Sequence, residues 1–264
     1  MNRLLEGKTA LVFGVANDHS IAWGISQALH AQGARLAFSY AVESLERRVR
    51  PLAESLGSTF VEPCDVSSDE QIEALFAKAA TELGTIDILI HAVAFAGREE
   101  LSRPFYLTSR AGFMNTLDIS AYSLTALTRA ALPLMKNGGS VLTLTYYASE
   151  KVFPNYNVMA VAKAALEASV RYLAAELGEK GIRVNAISAG PVRTLSAAGV
   201  AGFKRMHREF AQYNPLRRGI TIEDLGHTAV WLCSDMSSAI TGEIVFVDSG
   251  YNILGVVIPE DESD

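Results

Sequence analysis

Short apolar runs alternate with longer amphipathic segments along nearly the whole chain. The apolar runs predict seven buried strands, at residues 9–13, 35–39, 59–61, 86–90, 141–145, 183–187 and 243–247. The segments between them predict helices at about residues 21–32, 43–56, 69–83, 111–135, 156–179 and 222–233. Such alternation is typical of a parallel sheet covered by helices on both faces. We therefore expect an α/β fold with a doubly wound, Rossmann-like sheet, forming a single domain over residues 1–264 because no linker interrupts the alternation.

Composition narrows the classes of function. Hydrophobic residues make up 49% of the chain and charged residues 20%, which suits a packed core and argues against disorder. The net charge of -6 is unfavourable for binding nucleic acid. No run approaches the roughly 18 consecutive apolar residues of a membrane span, and the first eight residues lack the hydrophobic region of a signal peptide. We expect a cytoplasmic protein with neither nucleic-acid nor membrane partners.

The cysteines and histidines predict neither a disulfide framework nor a metal site. Cys64 and Cys233 are too few for a framework, and we interpret them as free thiols in a reducing compartment. None of the five histidines stands at metal-ligand spacing from a second ligand, so we predict no bound metal.

The loops after the strands carry the candidate cofactor site, because such sheets bind ligands beyond the carboxyl ends of their strands. Gly14 permits a tight turn, and the Ser20 hydroxyl is predicted to cap a helix whose first amides favour a pyrophosphate. This loop is longer than G-x-G-x-x-G, and an ordinary strand–helix loop is an alternative. Asp65 could accept a hydrogen bond from an adenine amino group with Val66 packed on the ring, or could be a cap or turn residue. The small residues of 91–97 allow close approach of a cofactor, or fill a crowded strand end.

Tyr156 and Lys163 are the candidate chemical groups. Six residues separate them, so a helix through both would put them on one face, about 10 Å apart along its axis. A phenol and an ammonium placed in this way can serve one ligand, the phenol at a reacting carbonyl and the ammonium at a cofactor sugar. The spacing alone is weak evidence, since any long helix offers such a pair.

Taken together, these motifs resemble the short-chain dehydrogenase/reductase family. The resemblance rests on Asp65-Val66, on the Tyr156–Lys163 pair and on Asn-Ala-Ile-Ser-Ala-Gly-Pro at residues 185–191. The long first turn and the six-residue gap are similar to its divergent branch, the enoyl-acyl-carrier-protein reductases of bacterial fatty acid synthesis. Further matching segments are residues 153–159, 188–194, 233–235 and 241–243. The resemblance extends from Gly7 to about Tyr251.

The resemblance implies reduction of the trans-2 double bond of an enoyl thioester bound to acyl carrier protein. Hydride reaches C3, and negative charge then develops on the thioester oxygen. A donor aimed at that oxygen acts where catalysis is most effective, and we assign Tyr156 to this role. Lys163 would hold the nicotinamide ribose, and Tyr146, ten residues before Tyr156, would be an accessory residue of the acyl site. A homotetramer is implied by the family alone.

Further contacts also follow from matching positions. The implied cofactor-binding residues are Gly14, Ser20, Ile21, Ala41, Asp65, Val66, Ala92, Val93, Lys163, Val192 and Thr194. Ala96 is the matched position near the substrate, beside Tyr146 and Tyr156. Residues 40–43 contain no Arg or Lys to meet the 2′-phosphate of NADPH, and Arg47 and Arg48 come later on a helix, so we favour NADH.

A ketoreductase of the same superfamily, with Tyr-x3-Lys, is the nearest alternative. Tyr147 and Lys151 match that spacing, but Pro154 leaves too little room for a helix carrying both. Thr143 stands roughly where a ketoreductase keeps its serine, although a mid-strand threonine is more often structural. A non-catalytic nucleotide-binding module is the alternative from another class, and it would have no use for the Tyr156 acid.

Residues 195–212 resemble the family's mobile substrate loop. Their Ala and Gly residues pack weakly, which suits a lid. Lys204, Arg205 and Arg208 form a basic cluster on an acidic chain, which is either a patch for an acidic carrier protein or a solvated helix face. Residues 260–264, four of them acidic, predict a frayed tail.

Overall fold

The computed structural model describes residues 3–194 and 203–256, and these contain one seven-stranded sheet. Its order is β3-β2-β1-β4-β5-β6-β7, and every neighbouring pair is parallel. The strands are β1 Thr9–Phe13, β2 Arg35–Tyr40, β3 Val61–Pro63, β4 Ile88–His91, β5 Gly139–Thr145, β6 Ile182–Ala189 and β7 Ile244–Val247. The chain reverses its direction of travel across the sheet between β1 and β4, which is where sheets of this kind bind ligands. The predicted doubly wound α/β fold is confirmed.

Helices cover both faces of this sheet. They are α1 Ile21–Ala31, α2 Glu43–Ser55, α3 Asp69–Glu82, α4 Arg98–Ser102, α5 Arg110–Leu117, α6 Ser123–Ala131, α7 Val158–Leu177, α8 Phe203–Tyr213 and α9 Ile222–Cys233. Successive residues of β1 point to opposite faces, so Val12 packs in the core under α1 and α9 while Leu11 packs in the core under α3, α6 and α7. Both faces of the sheet are therefore buried in apolar cores.

The long helix predicted over residues 111–135 is wrong. The structure breaks it into α5, a π-helical turn at Asp118–Tyr122, α6 and a 3₁₀ turn at Leu132–Leu134 that contains Pro133. In the π-turn, the buried Ser120 hydroxyl accepts from the Phe95 amide at 2.9 Å and donates to the Phe95 carbonyl at 3.1 Å. The irregular turn therefore accompanies a tertiary contact that local periodicity does not encode.

Several boundaries also differ from the prediction. β3 and β4 begin two residues later than expected, and α4 was not predicted. The helix expected to carry both Tyr156 and Lys163 begins only at Val158, because Asn155 and Asn157 have left-handed φ angles of 64° and 44° that end regular helix geometry. Tyr156 consequently lies in a turn, and the prediction of a shared helix face is wrong.

Both cysteines carry free thiols in the folded chain. Cys64 and Cys233 are free and buried, and burial raises the pKa of each thiol to about 12. Among the residues that the structure describes, no helix combines the length and the apolar character needed to cross a membrane.

Candidate active site

The loops after β1 and β4 meet at the point where the sheet changes direction. Gly14 has a φ of 103°, and a Cβ built on it would lie 2.1 Å from the carbonyl oxygen of Ala92. Only glycine satisfies both the angle and the contact. Gly14 and Ala92, both implied cofactor residues, are therefore adjacent, and Val93 follows partly buried.

Ser20 stands at the N-cap position of α1, but its hydroxyl does not do what the sequence predicted. Its side chain makes no bond to the first turn of the helix. Instead its oxygen accepts from the amides of Ala16 and Asn17, at 3.0 Å each. The predicted cap is wrong, because the hydroxyl closes the turn before the helix. The Ser20 side chain thus makes no bond to the first amides of α1, at Ile21 and Ala22, and a phosphate is the ligand that such amides favour.

Asp65 and Val66, the residues expected to contact an adenine, follow the end of β3. The Asp65 Oδ1 accepts from the amide of Ser67 at 2.9 Å and from its hydroxyl at 2.7 Å, so the turn role that the sequence left open is present. Val66 is buried in the core beside it. The turn fixes the Asp65 carboxyl group and uses one of its two oxygens, Oδ1.

The end of β2 bears on cofactor choice. Ala41 is exposed, and the Tyr40 hydroxyl donates to Glu46 at 3.1 Å. Arg50 donates to the same carboxylate from two nitrogens, at 2.9 and 2.6 Å. The Arg50 guanidinium is therefore held by an acid, and Arg47 lies exposed on α2.

Two neighbouring tyrosines diverge at the end of β5. The Tyr146 ring lies 5.0 Å from the Tyr156 ring, centroid to centroid, in an edge-on arrangement at 61°. Tyr147 instead packs on Phe246 at 5.6 Å, and its hydroxyl donates to the carbonyl of Asn252 at 3.1 Å. Side chains alternate across an extended chain, and accordingly Tyr146 packs against Tyr156 while Tyr147 packs against Phe246.

Burial strengthens the hold of both phenols on their protons. Burial raises the pKa of Tyr156 well above its usual value. Burial raises the pKa of Tyr146 as well, with a further contribution from Tyr156 beside it. Both hydroxyls therefore carry their protons at neutral pH and can act as hydrogen-bond donors.

Lys163 lies in α7, seven residues after Tyr156, and is 6% exposed. Its Nζ donates to the carbonyl of Leu144 in β5 at 2.8 Å. Burial lowers the pKa of this amine to about 8, and the charge of Glu167 opposes the shift. Glu167, one turn further along α7, is itself buried and accepts from the Thr145 hydroxyl at 2.6 Å. The ammonium is thus a buried cation held between the helix and the sheet.

Comparison with known proteins agrees with this geometry. The family model described as enoyl-(acyl carrier protein) reductase matches residues 14–252. The chain belongs to this family. An NADH-dependent enoyl-acyl-carrier-protein reductase from Aquifex aeolicus is 53% identical over 98% of this chain and 96% of its own length.

Solved structures of reductases agree equally well. The Bacillus cereus enoyl-acyl-carrier-protein reductase, solved with NADP⁺ and an indole naphthyridinone, is 55% identical, covers 96% of this chain and 99% of its own, and has a TM-score of 0.94. The Anaplasma phagocytophilum reductase, solved with NAD, is 49% identical with coverages of 98% and 99% and a TM-score of 0.94. The predicted family is therefore confirmed.

Tyr146 and Ala96, the residues that the resemblance placed near the substrate beside Tyr156, have neighbours in α8 and in the loop after β4. Gly190 abuts Phe210 of α8, where a Cβ would come within 2.7 Å of the ring, and the Tyr146 hydroxyl donates to the Met206 sulfur at 3.5 Å. Ala96 is partly buried, next to the Phe95 backbone that Ser120 holds.

The predicted substrate loop is helical over its second part. Residues 203–212 belong to α8, whereas residues 195–202 and the predicted tail at 260–264 lie outside the described residues. Val192 is partly buried against the core and Thr194 is partly buried just before that gap. In the basic cluster, Arg205 donates to Glu209 at 2.6 Å and is 78% exposed in its side chain.

Sequence reasoning missed a buried polar chain behind the reductase site. His91 Nδ1 lies 2.7 Å from the Thr143 hydroxyl and Nε2 lies 2.8 Å from the Ser123 hydroxyl. Ser123 donates to the carbonyl of Ile119, so it accepts from His91 Nε2–H, and Thr143 donates to Nδ1. Burial, with the nearby Lys163 charge, lowers the pKa of His91 to about 3. Thr143 is thus structural, as expected, and only the presence of a histidine in an apolar strand hinted at the network.

Metal ligation finds no support in the part of the chain that is described. Across residues 3–194 and 203–256, no group of three or more His, Cys, Asp or Glu side chains is arranged to hold an ion.

Proposed function

We propose that this chain reduces the trans-2 double bond of enoyl-acyl-carrier-protein thioesters with NADH, as the last step of a fatty acid elongation cycle. The observation that carries the proposal is the contact of Tyr146 with Tyr156, together with the buried Lys163 on α7, in a member of this reductase family. Relatives named as NADH-dependent enoyl-acyl-carrier-protein reductases support the reaction.

The candidate cofactor site suits a dinucleotide. Gly14 leaves room for close approach where the sheet changes direction, and the Ser20 side chain makes no bond to the first amides of α1. We propose cofactor contacts from Gly14, Ser20, Ile21, Ala41, Asp65, Val66, Ala92, Val93, Lys163, Val192 and Thr194. NADH, when bound, supplies hydride to C3 of the enoyl group.

The chain's own residues then stabilise the negative charge that hydride addition creates on the thioester oxygen. Tyr156, protonated at neutral pH, donates a hydrogen bond to the thioester oxygen and stabilises or protonates the enolate. The Lys163 ammonium holds the ribose hydroxyls and keeps positive potential near Tyr156. Tyr146, packed against Tyr156, shapes the acyl site together with Ala96. The surrounding rings also exclude solvent, which strengthens the hydrogen bond.

The ketoreductase alternative has less support. Tyr147 opens a 3₁₀ turn and commits its hydroxyl to Asn252, while Lys151 is exposed. A non-catalytic binding module is disfavoured because it would have no use for the Tyr156 phenol, which packs against Tyr146 and whose pKa burial raises.

NADH is preferred over NADPH in this proposal. The exposed Ala41 follows β2, and the Arg50 guanidinium is held by Glu46 rather than directed at a 2′-phosphate. The NADP⁺ complex of the Bacillus cereus relative makes a direct comparison of the two cofactors worthwhile.

We also propose that the enzyme is a cytoplasmic homotetramer whose macromolecular substrate is an acyl carrier protein. All four residues of the edge strand β7 are apolar and only partly buried, unlike the fully buried β1, which supports a further protein surface there. The basic cluster on α8 supports docking of an acidic carrier. Charge reversal at Lys204 and Arg208 should raise KM for the carrier-linked thioester several-fold and leave KM for a small free thioester unaffected. A variant with wild-type KM for the carrier-linked thioester would refute the docking role.

A single set of assays tests the reaction. Cofactor oxidation is followed at matched concentrations with a trans-2-enoyl thioester and with a 3-ketoacyl thioester, each with NADH and with NADPH. We expect turnover with the enoyl thioester and NADH. Turnover with the ketoacyl thioester alone would identify a ketoreductase, and binding of NADH without turnover of either substrate would identify a binding module.

A further inference from the structure

One side chain links the turn that carries Tyr156 to a neighbouring helix. Asn157 precedes α7 with φ 44° and ψ −123°, a backbone conformation that residues other than glycine rarely adopt. Asn155, on the other side of Tyr156, has a φ of 64°. The tyrosine is therefore held in a turn whose geometry must be maintained by its surroundings.

The side-chain amide of Asn157 holds the turn in this geometry through hydrogen bonds. Its Nδ2 donates to the carbonyl of Arg103 at 2.8 Å and lies within 3.2 and 3.3 Å of the carbonyls of Leu101 and Glu100. These carbonyls lie at the C-terminal end of α4, where the last carbonyls of a helix have no partner inside it. Asn157 thus caps a helix more than 50 residues away in the chain while setting the start of its own helix.

The capped helix is part of a closed segment, residues 98–109. The buried Glu100 carboxylate accepts from the Ser109 amide at 3.1 Å and from its hydroxyl at 2.7 Å. Ser109 in turn caps α5 by accepting from Gly112 at 2.9 Å. The segment begins two residues after Ala96, the proposed substrate contact. A displacement of this segment would therefore reach both sides of the proposed acyl site.

We propose that Asn157 is a positioning residue that fixes the Tyr156 hydroxyl relative to the substrate by anchoring the catalytic turn to residues 98–109. This inference rests on the proposed function. Its backbone conformation orients Tyr156 against Tyr146, and its amide prevents the turn from relaxing. A misplacement of about 1 Å is enough to cost catalysis on the order of a hundredfold.

Three variants separate the backbone from the amide. Asn157→Gly removes the amide and adopts the turn without strain, Asn157→Ala removes the amide and disfavours the turn, and Asn157→Asp keeps the shape but turns a carboxylate toward three carbonyls. We expect kcat with the enoyl thioester to fall by about threefold to tenfold in the Gly variant and by at least about tenfold in the Ala and Asp variants. The Kd for NADH should stay within about twofold of the wild type in all three.

Thr221→Ala is the matched control, because it removes the N-cap of α9 and so destabilises the fold outside both residues 98–109 and the turn of Tyr156. If Asn157 is purely structural, Thr221→Ala and Asn157→Gly should lose kcat in proportion to their loss of Tm. Positioning predicts that kcat falls mainly in the Asn157 variants. Wild-type kcat in the Asn157→Gly variant, or a loss of kcat in proportion to the loss of Tm in both variants, would overturn the proposal, and this decision holds even where Asn157→Ala does not fold.

A readout without turnover distinguishes this inference from the proposed function. The ionisation of the Tyr156 phenol is obtained by ultraviolet difference titration against Tyr156→Phe in each background. We expect Tyr156 to ionise well above the ordinary tyrosine range in the wild type, because burial raises its pKa, and to ionise closer to that range in Asn157→Ala. Unchanged ionisation would refute the positioning role, whereas a wild type that shows the expected shift but no enoyl reduction would refute only the proposed function.

Discussion

The two ends of the Tyr156–Lys163 pair are held by different kinds of structure. Lys163 lies inside a regular 20-residue helix and donates to the neighbouring strand, so local helix geometry and the sheet define its position. Tyr156 lies outside that helix, in a turn with two left-handed asparagines and a ring contact to Tyr146. The cation is thus placed by repeating secondary structure and the phenol by specific tertiary contacts.

The spacing of Tyr156 and Lys163 in the sequence therefore does not determine how the two side chains are placed in space. The six-residue gap correctly pointed to a family, but the shared helix face inferred from it does not exist. Substitutions should therefore act differently at the two ends: at Tyr156 on turnover, and at Lys163 on electrostatics and pH dependence.

The largest effect is expected at the turn end. Tyr156→Phe should lower kcat by about 10²–10³-fold, because a donor at the developing oxyanion is lost. The Kd for NADH should change little. Tyr147→Phe is the matched control at the strand end and should keep kcat within about twofold; a comparable loss in both variants would mean that the two tyrosines have not been correctly distinguished.

The next largest effect is a pH dependence of kcat/KM that follows from Lys163 and not from Tyr156. The Lys163 pKa is lowered to about 8, so the ammonium is present below that pH and is lost as the pH rises through it. With NADH varied, kcat/KM should fall about tenfold per pH unit above about 8. In Lys163→Arg this descending limb should be absent, because guanidinium stays charged. A rise in kcat/KM through the same range would contradict the role of the ammonium.

A smaller effect concerns the sheet behind Lys163. The His91 pKa is lowered from its ordinary 6.5 to about 3, so the folded state favours neutral imidazole. Stability from this group is complete above about pH 6.5 and is lost as the pH falls toward 3, by up to about 1.4 kcal/mol per pH unit. His91→Gln should have a lower free energy of unfolding at pH 7 and a shallower dependence on acid, measured by denaturant unfolding from about pH 7 to about pH 4. An unchanged slope would show that His91 does not titrate in this way.

The smallest effect should come from the acid beside Lys163. Because the Glu167 charge raises the Lys163 pKa, Glu167→Gln should move the descending limb of kcat/KM to lower pH by a fraction of a unit. Thr145→Val removes the hydroxyl that binds this carboxylate and keeps its charge, so it should leave the limb nearly in place. A shift of the same size in both variants would point to packing rather than charge.

The regular parts of the fold could be predicted because their signals are local. Residues 9–13 and 222–233 form the predicted strand and helix, and the structure adds that Thr221 and Asp224 make a reciprocal capping box at the latter. The family and the pairing of Tyr146 with Tyr156 also followed from short motifs.

The missed parts depend on contacts between distant residues. The start of α7 is set by an asparagine that binds carbonyls 54 to 57 positions earlier, and the π-turn accompanies a serine that binds a backbone 25 positions earlier. The Ser20 hydroxyl could accept from the first amides of α1 or from the amides of Ala16 and Asn17, and residue propensity alone does not predict which set it binds. Such choices are made by the assembled fold.

The contact between Gly14 and Ala92 also limits how this protein can change by mutation. Every codon change that replaces glycine introduces a Cβ, and at this position the obstructing atom is a backbone carbonyl oxygen. No compensating substitution can remove that oxygen, since all twenty amino acids carry it. In a complete mutational scan, we therefore expect position 14 to be nearly invariant and to lack second-site suppressors at position 92, so that descendants of this chain inherit the glycine.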